Sequence, residues 1–233
     1  MVLNRKIIST KDGSKTLRIE ELKESYHSVH GAVNEAVYVF IKNGLDEVAS
    51  TKHKIRILEM GLGTGLNALI TALFSKKNNL KIEYLGVEKY PINSEEFELL
   101  HYADSVSKAL EVEQKEVEAI NRKMFEAEWE KWTEITPSFS ICKVNKDFFD
   151  LNTIGESAFD LVYFDAFGAH AQPELWEKDL LQLVVEKMAD DGWFTTYAAK
   201  GSLKRHLTNL GLKVEKRPGP PGKREMMIAY NEK

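Results

Sequence analysis

The sequence predicts an α/β fold: a Rossmann-like, mostly parallel, seven-stranded sheet with an antiparallel C-terminal strand. Three features carry that reading. From Ile55 onward, short apolar runs alternate with helix-period segments. The first apolar run enters its helix through three closely spaced glycines, and the chain closes with two β-type segments around a proline- and glycine-rich loop.

Taken in order, "RKIISTKDGSKTLRIEEL" places two alternating segments around Asp12-Gly13, the signature of a hairpin. Ala32, Ala36, Val37, Phe40 and Ile41 follow at helical spacing, with Gly44 as the expected stop. "KIRILEM" reads as a buried strand, "GLNALITALFSKK" as a helix and "KIEYLGVEK" as a strand, followed by a helix begun by an Asn/Ser cap in "NSEEFELLHYA". "SFSICKVNKDFFDL", "AFDLVYFDAF" and "GWFTTYAAK" supply three further strands, with the helix "PELWEKDLLQLVVEKM" between the last two. "LKVEKR" and "REMMIAY" form the closing antiparallel pair. The charged, amphipathic stretch at about 104–134 interrupts the alternation and reads as a helical insertion with a solvated face. Residues 1–54 are therefore an N-terminal hairpin-and-helix extension on a core of residues 55–233, effectively a single domain.

The 233 residues, 43% of them hydrophobic, are enough for one core. A formal net charge of −4 gives no global case for a nucleic-acid partner, which would need a local basic patch. Cys142 is the single cysteine and sits in the apolar run "FSICKV", as a buried inert thiol does. With no leader-like start and no long apolar span, the expectation is a cytoplasmic chain without membrane contact; composition carries no signal of oligomeric state. The six histidines offer no ligand set, His27 and His30 being their only close pair, so no metal is expected.

In an open parallel sheet, ligands bind beyond the carboxyl ends of the strands, and the first strand-to-helix turn supplies the floor. Gly61, Gly63 and Gly65 lie there. The P-loop spacing is absent, and the third glycine comes one residue too early for a dinucleotide fingerprint. Glu59, two residues before the first glycine, would repel a pyrophosphate but attract an ammonium or sulfonium. Glu88, at the end of the second strand, has the spacing of an acid that accepts from ribose hydroxyls, with Lys89 beside it. Asp147, after the third strand, is placed to accept from an adenine amino group, with Phe148 flanking the ring. Ribose and an amino-acid tail without phosphate describe S-adenosylmethionine. Taken singly, the glycines also read as helix-strand packing, and Glu88 and Asp147 as helix caps.

Over the transferred methyl, at the end of the fourth strand, stands Asp165 in "VYFDAFGAHAQPELW". A carboxylate there can orient an amine through its N–H, stabilise the positive charge that nitrogen gains and receive its proton, while Phe167 packs on a flat base. The ordinary reading of Asp165 is a cap for the following loop.

These residues resemble the methyltransferase domain of the tRNA 5-methylaminomethyl-2-thiouridine biosynthesis family, called MnmC when fused to an oxidase and MnmD when free. The matching stretches are "DGSKTLRIEELKESYHSVHGAVNEAVYVFI", "ILEMGLGTGLNAL", "GVEKYP", "DAFGAHAQPELW", "YAAKGSLKRHL" and "GPPGKREM". The resemblance implies a class I S-adenosylmethionine-dependent methyltransferase fold and N-methylation of the 5-aminomethyl group on the wobble uridine of certain tRNAs. It implies Glu59, Gly61, Gly63, Gly65 and Asn67 as the cofactor loop, Glu88 as the ribose acid, and Asp165 and Phe167 as the acceptor pair. Tyr26, His27, Ser28 and Glu35 match its N-terminal motif and would wall the pocket. One departure is Ala169, where the family often has proline in D-x-F-x-P, followed by His170; a looser loop is expected. The chain has no counterpart of the flavin-dependent oxidase half, so it is not expected to remove a carboxymethyl group itself; functional coupling to a separate oxidase stays open.

For tRNA, positive charge gathers in the last third at Lys200, Lys204, Arg205, Lys213, Lys216, Arg217, Lys223 and Arg224. Lys200 and Arg224 lie at strand ends near the inferred crevice and, with Lys223, are the expected substrate contacts. Two other readings stay open on sequence alone: N-methylation of a small-molecule amine, and a non-catalytic module that binds tRNA or S-adenosylmethionine.

Overall fold

A computed structural model describes residues 4–231. The extension opens as an antiparallel three-stranded sheet in the order β1 (Arg5–Ser9), β2 (Lys15–Ile19) and β3 (Glu24–Ser25). Asp12 does double duty at the hairpin turn. Its Oδ1 accepts from the Ser14 amide (3.1 Å), and its Oδ2 accepts from the Asn34 amide (3.0 Å), docking the turn on the helix that follows.

That helix runs as α1 (Ala32–Ala36), a π-helical stretch Val37–Leu45 and α2 (Asp46–Ala49), so Gly44 does not stop it. The glycine answers to packing. A Cβ on buried Gly44 would lie 2.9 Å from Thr195 Cγ2, and the Thr195 hydroxyl donates to the Val39 carbonyl at 3.2 Å. Close approach of helix to sheet outweighs the ~1 kcal/mol that a mid-helix glycine costs.

The main sheet has eight strands: β4 (Lys54–Met60), β5 (Lys81–Val87), β6 (Thr133–Thr136), β7 (Phe139–Val144), β8 (Phe159–Phe164), β9 (Met188–Thr196), β10 (Lys213–Pro218) and β11 (Glu225–Tyr230). Their spatial order is β10-β11-β9-β8-β4-β5-β7-β6. The five central strands are parallel, and β6, β10 and β11 add antiparallel pairings. The strand beyond the expected seven is β6, a short edge piece that closes the insertion. Strand order reverses between β4 and β8, which puts the crevice at their carboxyl ends.

Helices α3 (Leu66–Lys77), α5 (Tyr102–Leu110) and α6 (Gln114–Glu126) cover one face together with α1, burying Leu69, Val106, Val117 and Ile120. α7 (Lys178–Val185) and α8 (Gly201–Asn209) cover the other with Leu180, Leu181, Leu203 and Leu207. α4 (Ser94–Leu100) starts on a reciprocal capping box between Asn93 and Glu96. The insertion is amphipathic as expected, turning Val117, Ile120 and Met124 inward. β9 begins earlier than "GWFTTYAAK" suggests and ends at Thr196, so Tyr197–Lys200 leave the sheet and reach the crevice.

Candidate active site

The turn from β4 into α3 is built on left-handed backbone. Gly61, Gly63 and Gly65 have φ of 97°, 52° and 79°, a region that glycine enters without steric cost. Two also need the space: a Cβ on Gly61 would stand 2.8 Å from the Asp165 carbonyl, and one on Gly63 would stand 3.0 Å from the Tyr26 ring. The amides of Gly61 and Leu62 both donate to the Val87 carbonyl at 3.0 Å, so the turn is stitched to the end of β5.

Two carboxylates face each other across Asn67. Its amide donates to Glu59 Oε1 at 2.8 Å and to Asp165 Oδ2 at 2.9 Å. Glu59 is fully buried, and burial pushes its carboxyl up to about 8, with Asp165 adding to the rise and Asn67 opposing it. Asp165 is pushed up to about 7, by burial first and then by Glu35, against Asn67 and Lys223. Its own amide donates to the Met60 carbonyl at 3.0 Å, fixing it to the end of β4.

Glu88, beyond β5, accepts from the Gly63 amide at 2.9 Å and the Tyr90 amide at 2.7 Å, and burial raises its carboxyl above the usual range. Asp147 caps the 3-10 turn that starts at Phe148 by accepting from the Phe149 amide, and it pairs with Lys89. It is thus both a cap and a wall of the crevice.

Two cavities share one wall. The inner, about 230 Å3, is lined by Gly61, Gly63, Glu88, Lys89, Asp147 and Phe148; the outer, about 610 Å3, by Ser28, Glu35, Tyr197, Lys200, Lys223 and Arg224. Tyr26, His27, Asp165, Ala166 and Phe167 line both. Tyr26 and Phe167 meet edge to face with centroids 5.1 Å apart. The His27 amide donates to the Thr16 hydroxyl oxygen at 3.1 Å and its ring Nδ1 lies 3.0 Å from the same oxygen; burial lowers the imidazole to about 4, so it is neutral at pH 7.

The loop after Phe167 is held without the family's proline. Gly168 O accepts from the amides of Ala171 (2.8 Å) and Gln172 (3.0 Å), His170 Nε2 contacts Glu24 Oε1 at 2.7 Å, and Trp176 Nε1 donates to the Phe167 carbonyl at 2.7 Å. The looser loop expected from Ala169 is replaced by these four tethers.

All the residues expected at the site line one cavity or the other except Glu59 and Gly65, which support the floor from behind. The cations differ in kind. Lys223 is engaged with Glu35, Lys216 with Glu225 and Arg217 with Glu47, whereas Lys200 and Arg224 are exposed at the outer rim. Sequence reading missed Tyr197, whose hydroxyl donates to the Ala166 carbonyl at 2.8 Å, and Arg5, which binds the carbonyls of Tyr90 and Pro91 and the Glu96 carboxylate. Tyr197 opens the quoted "YAAK" stretch; nothing in "RKIIS" marks Arg5.

The donor set suits S-adenosylmethionine. Glu59 Oε2 is buried without a hydrogen-bond partner and favours a cation, Glu88 has lone pairs to spare for ribose, and the glycine turn lacks the P-loop spacing. Fold and site together define a class I S-adenosylmethionine-dependent methyltransferase. The chain belongs to the S-adenosyl-L-methionine-dependent methyltransferase family whose model matches residues 107–232.

Among curated proteins, it is 28% identical over 224 residues to the tRNA 5-methylaminomethyl-2-thiouridine biosynthesis bifunctional protein MnmC of Leptospira interrogans, covering 90% of this chain and 33% of that protein. The MnmC of Paraburkholderia xenovorans is 25% identical over 217 residues, covering 87% and 31%. The chain therefore spans about a third of the length of these relatives. Among solved structures, MNMC2 from Aquifex aeolicus superposes with a TM-score of 0.76 at 26% identity, over 99% of this chain and 71% of that one. A spermidine synthase bound to a transition-state analogue shares the fold, with a TM-score of 0.60 at 12% identity over 99% of this chain and 71% of its own. The family resemblance read from the sequence is borne out.

Proposed function

We propose that the chain N-methylates the 5-aminomethyl group of a tRNA wobble uridine, with or without the 2-thio group, in the cytoplasm. The observation that carries this reading is Asp165, set in the wall between a cofactor-sized cavity and a wider one open to a bulky acceptor. The MnmC relatives, named for tRNA 5-methylaminomethyl-2-thiouridine biosynthesis, support this choice of acceptor.

S-adenosylmethionine supplies the activated methyl group when bound. Glu59 and the glycine turn hold its amino-acid end, Glu88 its ribose, and Asp147 with Phe148 its adenine. Asp165 accepts an N–H of the acceptor amine and so aims the nitrogen lone pair into the inner cavity. As the nitrogen becomes tetrahedral and cationic, the same carboxylate stabilises it and takes the proton it sheds. Asn67 holds Asp165 at that angle, and Phe167, braced by Tyr26, offers an apolar face to the pyrimidine.

Incubation with hypomodified tRNA and S-adenosylmethionine, followed by nucleoside mass spectrometry, should convert 5-aminomethyl to 5-methylaminomethyl uridines. Asp165→Asn should cut single-turnover transfer by ~10²–10⁴-fold while leaving cofactor affinity within a few-fold. Methylation of free amines with no product on tRNA would overturn the acceptor assignment.

A further inference from the structure

Two of the stretches that carry the family resemblance, the one holding Tyr26, His27, Ser28 and Glu35 and the C-terminal "GPPGKREM", are far apart in the chain and touch at the outer cavity. Glu35, on α1, accepts from the Ser28 amide at 2.8 Å through Oε2 and from Lys223 Nζ at 2.6 Å through Oε1. The same ammonium stands 3.5 Å from the centroid of the Tyr197 ring, and Tyr197 is hydrogen-bonded to the carbonyl of Ala166, next to Asp165. The loop that carries Lys223 is rigid. Its Gly219 amide donates to Arg224 O at 3.1 Å, the Lys223 amide to Pro220 O at 2.9 Å, and Tyr38 binds Pro218 O at 3.0 Å. Gly222 leaves room for His30, whose ring would lie 2.1 Å from a Cβ there. A cation fixed by an acid, a ring face and a stiff loop is a built feature, in contrast to the exposed Lys200 and Arg224.

Given the amine-methylation reading, on which this inference rests, an acceptor faces an electrostatic problem. A free aminomethyl group is largely an ammonium near neutral pH and has no lone pair to donate. We propose that Lys223 is a positioning residue that disfavours the ammonium form of the acceptor in the outer cavity and holds Asp165 ionised to receive the proton that the nitrogen sheds after methyl transfer, with Glu35 setting how strongly it does so. The proton that the acceptor ammonium gives up on entry passes to solvent, and the amine keeps its electron pair. Lys223 opposes the rise in the Asp165 carboxyl and Glu35 promotes it, so the two act on the same group with opposite sign.

Of the cations round this space, Lys223 is half-buried and fixed on Glu35, whereas Lys23 is exposed. On the N-terminal sheet, His27 is neutral, Arg18 pairs with Glu20, and Glu24 is engaged with His170 of the 165–172 loop. Beyond β9, Tyr197 is held well above its ordinary range by burial and Lys200 points to solvent; at β11, Arg224 is exposed and Glu225 is paired with Lys216.

The test is the pH dependence of single-turnover methyl transfer to tRNA, with ¹³C-carboxyl NMR titration of Asp165 in the cofactor-free protein. Lys223→Met should move the acid limb up by about one pH unit, a roughly tenfold loss on that limb that shrinks as pH rises. Glu35→Gln, which keeps an acceptor for the Ser28 amide, should move it down, and Lys223→Arg should restore the wild-type profile. The Asp165 midpoint should follow the same order without any acceptor present. Loss by one constant factor at every pH, with an unmoved Asp165 midpoint, would overturn the proposal. If the wild type transfers nothing to tRNA, the acceptor reading fails, and the Asp165 midpoints in Lys223→Met and Glu35→Gln still decide this one; should Lys223→Met not fold, Glu35→Gln decides it alone.

Discussion

Asn67 separates two carboxylates that would otherwise meet across a dry gap, donating one amide hydrogen to each. Glu59, on its inner side, is held near 8 in the cofactor-free protein, so at pH 7 it is largely protonated. A cation bound beside it favours the charged form, and cofactor binding should therefore release close to one proton at pH 7. Calorimetry in buffers of different ionisation enthalpy measures this; Glu59→Gln should abolish the release and weaken binding about ten- to a hundredfold, the ~1.5–3 kcal/mol of a charged hydrogen bond. A release of the same size in the variant would exclude Glu59 as its source. The same group sets a stability slope. Between its ordinary 4.5 and about 8, the folded protein holds more protons than the unfolded chain, so stability falls as pH rises through that window, and less steeply in Glu59→Gln. At this scale, Glu59, Glu88 and Asp165 were legible because each ends an apolar strand, where a charge has no packing role. Tyr197 and the Lys223–Glu35 pair were not: a tyrosine past a strand reads as core, and a lysine beside prolines reads as surface, until folding joins positions 188 residues apart.

Periodicity revealed the central strands and α3 because a buried parallel sheet demands continuous apolar runs. It failed where contact with another element overrode local preference. Gly44 carries the local signature of a helix stop, yet the helix continues through it because the sheet is too close for a side chain. Gly44→Val should thus destabilise the fold by ~1–3 kcal/mol through overpacking against Thr195, despite valine's better helix propensity. Urea unfolding with an unchanged m-value checks this, and a variant as stable as wild type would show that helix and sheet can part at little cost. β6 escaped notice for a related reason: four residues with one buried side chain, Ile135, carry too little pattern to be seen apart from the insertion that delivers them.

For the molecule as a whole, the low net charge has a local counterpart: of the C-terminal cations, Lys216, Arg217 and Lys223 are paired with acids of this same chain. Lys200 and Arg224 remain at the rim of the outer cavity. Reversing both to Glu should weaken tRNA binding and lower the magnitude of its log–log salt slope by about one per lost phosphate contact, leaving cofactor affinity unchanged. An unaltered slope would move the tRNA surface elsewhere. The pairing of α1 with the β10–β11 loop also bears on the order in which the enzyme comes together. The inner cavity draws on residues up to Leu175, whereas Lys223 and Arg224 complete the outer one. The acceptor wall is thus the part of the site that depends on closing a loop across most of the chain, a slow step in folding. Refolding should recover cofactor binding before it recovers transfer.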